Sequence, residues 1–214
     1  MKYINNNFFI EQKNIKNLVK KFSTPLYCYS YKNLKKNIEN FKNIFKQISP
    51  LICFSVKSNS NISILTEIRK LGLGADVVSK GELFASLKAG INKKKIVFSG
   101  VGKTKEEIEY AINKKILLIN SESLSEVLII EKIAKKLNKV VNIGLRLNPD
   151  TDAQTLKQIS TGKSENKFGV DKKTFIKIIN LMKNSKFVKI KCLSVHIGSQ
   201  ILNHKPYEKM LKVL

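Results

Sequence analysis

Six short apolar runs, each separated from the next by a helix-length segment, constrain this chain more than any other feature of its 214 residues. They lie at 51–56, 75–79, 96–99, 116–120, 140–147 and 191–197 and have the length and composition of strands. Between them, 62–71, 81–89, 105–112, 124–137 and 172–183 carry apolar residues at helical spacing. Parallel strands need a crossover of about a dozen residues or more, so this alternation predicts parallel βα units. A doubly wound sheet and a (β/α) barrel both satisfy it. Ahead of the first run, 15–22 reads as a short helix that Thr24-Pro25 interrupts, and 26–30 reads as a strand. In 31–48, Leu34, Ile38, Phe41 and Phe45 form a helical stripe with lysines opposite.

The polar residues favour the barrel. Lys57, Asp76, Ser99, Asn120, Asn148 and His196 all stand at or just beyond the carboxyl end of a strand run. Barrels assemble a site from several strand ends at one mouth. A doubly wound sheet binds at a single switch point, often behind a glycine-rich first turn, and no such turn follows the first run. The expectation is an α/β fold: a (β/α) barrel of which this chain supplies about six of the eight units, in a length that suits one good-sized core.

Lys57 ends the apolar stretch LICFSVK. Desolvation there lowers an amine's proton affinity, the condition for attack on a carbonyl carbon to form a Schiff base. Lys57 is therefore the candidate cofactor-bearing residue, although it is one of 38 lysines, nearly all of which must be solvated. In VHIGSQ, His196 is placed to stack on a flat ligand while Ser199 and the turn amides hold a phosphate; a purely structural histidine is the alternative. Arg146 falls inside an apolar run, where a surface ion pair is hard to accommodate, and it is positioned to orient the His196 ring. Asp76 and Glu82 are the acidic candidates, against the plainer readings of a turn residue and a first-turn helix carboxylate.

The Gly100-Val101-Gly102-Lys103-Thr104 run resembles the end of a P-loop. That motif needs a further glycine where Val97 stands, so a turn followed by a lysine-capped helix is the better reading. The formal charge of +24 raises the question of a nucleic-acid or membrane partner. Only Arg69 and Arg146 are arginine, and the lysines are dispersed without aromatic interleaving, which argues against a polyanion partner and for nucleotide bias in the genome. Cys28, Cys53 and Cys192 are far apart in apolar surroundings and read as buried thiols in a reducing compartment, with no CxxC pair to suggest a metal. The polar start MKYINNNFFIEQ does not resemble a signal peptide, and no apolar run has membrane-spanning length, so a cytoplasmic protein without membrane partner is expected.

Taken in order, these motifs carry a resemblance. Phe54-Ser55-Val56-Lys57-Ser58-Asn59 is similar to the cofactor-lysine motif of the fold-type III, pyridoxal-phosphate-dependent amino acid decarboxylases. Ala75-Asp76-Val77-Val78-Ser79, Gly81-Glu82-Leu83, Val97-Phe98-Ser99-Gly100, Asn148-Pro149-Asp150, Ser160-Thr161-Gly162, Glu165-Asn166-Lys167-Phe168-Gly169 and His196-Ile197-Gly198-Ser199-Gln200 follow in that family's order. The set most resembles the diaminopimelate decarboxylases, the 160–169 segment in particular, and the likeness runs from about Thr24 to Leu214. Leu156, Lys157 and Gln158 depart from the His-Pro-aromatic run that many members carry, and Lys80 stands where glycine is frequent.

The resemblance implies a pyridoxal-phosphate-binding barrel of the alanine-racemase type over 31–214. It also implies that 1–30 packs with a C-terminal β-domain lying beyond the matched region. In it, Lys57 bears pyridoxal 5'-phosphate, His196 stacks on the ring, Ser199 helps hold the phosphate, Arg146 supports His196, and Asp76 and Glu82 line the site. The implied reaction is decarboxylation of meso-2,6-diaminopimelate to L-lysine, with a small amino acid as substrate and a homodimer as the family's assembly. A non-catalytic relic, or a single-domain barrel that only binds the cofactor, is the alternative.

Overall fold

Asn5 and Asn6 both adopt positive φ (45° and 55°) and close a two-residue hairpin between β1 (Lys2–Ile4) and β2 (Asn7–Ile10). Asparagine tolerates this left-handed conformation, and paired positive φ values match a hairpin turn to the twist of its strands. A second short turn brings in β3 (Lys13–Asn14), giving an antiparallel meander. Asn14 then caps α1 (Ile15–Phe22) by accepting the Lys16 N–H. Ser30 caps α2 (Tyr31–Ile44) in the same manner, and its hydroxyl donates to Glu11 at 2.9 Å. Residues 26–30 do not form the expected strand: among the described residues they join neither sheet, and Ser30 instead opens α2, its carbonyl accepting the Leu34 N–H at 3.1 Å.

The computed structural model describes residues 2–155, 161–162 and 168–214. Met1–Pro50 make one compact unit and Leu51–Leu214 a second. The second runs β4 (Cys53–Ser55), a 3-10 turn (Val56–Ser58), α3 (Ile62–Lys70), β5 (Gly74–Val77), α4 (Lys80–Lys88), β6 (Ile96–Phe98), α5 (Lys105–Lys114), β7 (Leu118–Ser121), α6 (Leu124–Lys136), β8 (Val141–Arg146), α7 (Lys172–Met182), β9 (Val188–Ser194) and α8 (Lys205–Val213). The six strands β4 to β9 lie side by side in sequence order, every neighbouring pair parallel. A doubly wound sheet reverses its strand order part-way, whereas a barrel does not, so the order identifies barrel winding.

Burial follows the strands' places in the sheet. Central β8 is covered on both faces, with Val141, Ile143, Gly144, Leu145 and Arg146 all buried. Edge strand β9 instead alternates, its lysines at 189 and 191 exposed. That alternation is why the strand begins three residues before the expected run and ends two before His196. Phe98, Ile119, Ile143 and Leu145 pack with helix residues Leu65, Leu83, Ile108, Val127, Ile130 and Ile178 into one core.

Three successive βα junctions repeat one device. Ser79, Thr104 and Ser123 cap α4, α5 and α6, and in each case a glutamate three residues on closes back onto the entering chain. These caps fix the loops at the carboxyl ends of the strands, where the candidate residues gather. The cap of α5 is thus Thr104, where the sequence suggested Lys103.

Candidate functional site

A three-residue edge strand presents the central candidate. β4 ends at Ser55 and turns at once into the 3-10 turn that carries Lys57. Lys57 is exposed and makes no hydrogen bond among the described residues. This corrects the desolvation argument: the apolar run before it buries Val56, while the lysine itself points out past the strand end.

Next along the sheet, Asp76 on β5 is half-buried and accepts a 2.5 Å hydrogen bond from the Ser99 hydroxyl, just beyond β6. Asn120 on β7 donates through Nδ2 to that same hydroxyl at 3.0 Å, so one ladder links three strand ends. Asn120 has room because its neighbour on β8 is Gly144; a Cβ there would lie 2.1 Å from Asn120 Oδ1. Loss of hydration holds the Asp76 carboxyl above its ordinary value, while the Ser99 bond and the positive charges of Lys57, Lys103 and Arg146 pull it back.

Arg146, the last residue of β8, is buried, as its apolar setting required. Its Nη1 donates to both carboxylate oxygens of buried Glu122, at 3.0 and 3.1 Å, and its guanidinium lies 4.9 Å from the Phe168 ring centroid. Its Nη2 donates at 3.1 Å to the main-chain oxygen of His196. Arg146 therefore fixes the backbone at His196, where the sequence suggested that it orients the ring. The His196 side chain is exposed by area, yet its pKa is lowered, first by loss of hydration and then by the Arg146 and Lys57 cations, with Glu122 opposing. The balance favours the uncharged imidazole.

Ser199 lies exposed beyond His196, and its carbonyl accepts the Thr155 hydroxyl at 2.8 Å. Glu82 sits in the first turn of α4, where Oε2 accepts the Val78 N–H at 3.0 Å; this is the helix-carboxylate reading that the sequence also allowed. Ser160, Glu165, Asn166 and Lys167 of the resemblance motifs, and the departures at Leu156, Lys157 and Gln158, lie outside the described residues. The three cysteines are free and half-buried, not enclosed as expected, and burial pushes the Cys53 thiol up to about 11.

Two residues not among the candidates, Glu122 and Glu126, and Lys103, expected only as a helix cap, carry much of this mouth. Lys103, its side chain almost wholly buried, donates to Gly100 O, Asn120 O and Glu126 Oε1 at 2.6 to 2.7 Å. Glu126 also accepts the Glu122 N–H at 2.8 Å. The signals were present: a Ser/Thr-x-x-Glu repeated at three strand–helix junctions, and a glutamate, Glu122, just past one strand beside an arginine ending the next.

The chain that brings a lysine, an aspartate, a buried arginine and a histidine to these strand ends has relatives among known proteins. The family described as pyridoxal-dependent decarboxylase, pyridoxal binding domain, matches residues 31–214. The chain belongs to this family. Pyridoxal phosphate is accordingly its cofactor. Diaminopimelate decarboxylase of Helicobacter pylori (strain J99) is 45% identical over 193 residues, 90% of this chain and 48% of the relative. That of Campylobacter jejuni is 43% identical over 199 residues, covering 93% and 50%. The crystal structure of H. pylori diaminopimelate decarboxylase complexed with L-lysine superposes with a TM-score of 0.89 at 43% identity, over 92% of this chain and 50% of that one. The M. jannaschii enzyme in complex with L-lysine gives 0.88 at 36%, over 96% and 49%. The chain thus spans about half the length of the relatives it matches. No helix among its described residues is long and apolar enough to cross a membrane.

Proposed function

We propose that this chain is the cofactor-binding half of a decarboxylase that converts meso-2,6-diaminopimelate to L-lysine. The observation that carries the reading is the convergence of Lys57, Asp76, Arg146 and His196 at one barrel mouth, in a chain 45% identical to a diaminopimelate decarboxylase.

The donor set fits pyridoxal phosphate. Lys57 offers a primary amine to its aldehyde, the imidazole of His196 a flat face to its ring, and the Ser199 hydroxyl a donor to its phosphate. Among the described residues none of these three groups has a hydrogen-bond partner, which supports their being ligand-facing. Bound there, the cofactor supplies an electron sink for the pair left behind when a carboxylate departs as carbon dioxide. Arg146 holds the main chain at His196, and Asp76, its proton affinity raised, keeps an acidic group on the mouth beside Lys57. Glu82 secures the β5–α4 turn that follows Asp76. The same reading makes the partner a small amino acid and the whole enzyme a cytoplasmic homodimer, on the strength of the family resemblance.

The exposure of Lys57 favours a second reading, a barrel that binds the cofactor without turnover. Carbon dioxide release separates the two. The chain, with any polypeptide that co-purifies, is loaded with pyridoxal phosphate and offered meso-diaminopimelate, ornithine and arginine. Release from diaminopimelate with formation of L-lysine is expected. Release from ornithine or arginine instead would move the substrate assignment, and none from a preparation with cofactor bound would favour the non-catalytic reading.

A further inference from the structure

Glu122 spends its carboxylate in two directions. Both oxygens accept from Arg146 Nη1, and Oε2 also accepts the Gly169 N–H at 3.1 Å. The first direction leads to His196: Arg146 Nη2 reaches the His196 carbonyl, which also accepts the Thr161 hydroxyl at 2.8 Å. The second leads to the Phe168–Gly169 turn. There Val170 N–H donates to Arg146 O at 2.9 Å, and Asn148 N–H donates to Val170 O at 2.8 Å. Gly169 has φ of 74°, and a Cβ on it would meet Arg146 O at 2.9 Å, so only glycine lets this turn lie against β8.

We propose that Glu122 is a positioning residue that, through Arg146 and the Gly169 N–H, sets His196 and the 168–170 turn in register with each other. The inference rests on the functional reading in one respect, that His196 faces the cofactor ring and that this turn closes the segment resembling the diaminopimelate enzymes. Glutamate is required because a carboxylate alone accepts on both sides. A glutamine has one acceptor oxygen: in the Oε1 place it sets its amide hydrogens against the Gly169 N–H, and in the Oε2 place it keeps that contact but sets them against Arg146 Nη1, which retains a single acceptor. Either way one contact is lost and two donors face each other.

The test uses Glu122→Gln in the full chain without cofactor, with two readouts that a general loss of stability does not mimic in a folded variant. The first is amide hydrogen exchange at Gly169. The second is the NMR titration of His196, which is easily resolved because His204 is the only other histidine and provides an internal control. The charged groups acting on His196 are Arg146 at the end of β8, Lys57 after β4 and Glu122 after β7; removing the one anion leaves two cations.

In a variant with wild-type circular dichroism, we expect Gly169 exchange to rise at least ten-fold or His196 to titrate at lower pH, with His204 unmoved. Wild-type behaviour at both positions overturns the proposal. Should Glu122→Gln fail to fold, Glu122→Asp keeps the charge but withdraws it by one methylene, and a smaller shift of either readout is expected; no shift in either is again contrary. Borohydride labelling of Lys57 by pyridoxal phosphate is run alongside. A wild-type chain that takes no label there overturns the cofactor reading alone, since the two cofactor-free readouts still decide the positioning.

Discussion

The two ends of the barrel mouth are built differently. At β7, β8 and β9 the candidate site is over-determined: Arg146, Glu122, Gly169, Thr161 and the His196 carbonyl form one connected set of hydrogen bonds around a buried ion pair. At β4, a three-residue edge strand delivers Lys57 into solvent on a single 3-10 turn, with no bond holding its amine among the described residues. The contrast teaches a division of labour. The residues that shape the mouth are fixed internally, and they act on neighbours through the main chain. The residue proposed to make a bond is left open, so that its placement depends on what it meets.

Breaking the rigid end carries the largest expected effect. Arg146→Met strands the Glu122 carboxylate in a buried site and is expected to cost about 3–5 kcal/mol of unfolding free energy in urea titrations. Adding Glu122→Leu to it recovers part of that loss, because two apolar groups replace a pair whose desolvation was costly. A double variant as unstable as the sum of the singles would show the pair to be independent. Gly144→Ala comes next. Its methyl drives Asn120 away from β8 and loosens the Ser99–Asp76 ladder, for a cost of about 1–3 kcal/mol. Unchanged thermal stability there contradicts the close approach.

The pH dependence sharpens the comparison in direction. His196 binds its proton less readily in the fold than the ordinary value of 6.5 implies. The unfolded chain therefore takes up that proton first, and the stabilising contribution present above about 6.5 is lost as pH falls toward the folded value. Asp76 has the opposite sign: its folded value is raised above 3.8, so its contribution is complete below that pH and lost as pH rises through the folded value. Urea midpoints between pH 5 and 8 should flatten in His196→Gln, and Asp76→Asn should gain stability at neutral pH. The smallest effect belongs to the open end. Lys57→Ala should change stability by no more than about 0.5 kcal/mol, as expected for an exposed side chain.

Much of the fold could be read from residue pattern. All six strand runs overlap real strands, because parallel strands buried by helices are apolar throughout and stand out against helical spacing. β9 was offset because its lysines alternate with Val188, Ile190 and Cys192, an edge pattern that looks polar. The β1–β3 meander was missed because its asparagines read as a polar tail, although Asn5-Asn6 is a hairpin signal. At the site, Arg146 was legible because a charge within an apolar run demands a partner. Glu122 and Lys103 left weaker signals, since the carboxylate or guanidinium that each pairs with is distant in sequence and belongs to a neighbouring strand end. The solvation of Lys57 was misjudged for the same reason: a side chain's burial depends on tertiary neighbours more than on the run that precedes it.

The central claim is that Lys57 is the cofactor lysine among 38. Mixing the chain with pyridoxal phosphate, reducing with borohydride and mapping the phosphopyridoxyl group by peptide mass tests it directly. A single label on Lys57, lost in Lys57→Ala, is the predicted result. Labels scattered over many lysines, or a label that survives in Lys57→Ala, would contradict it.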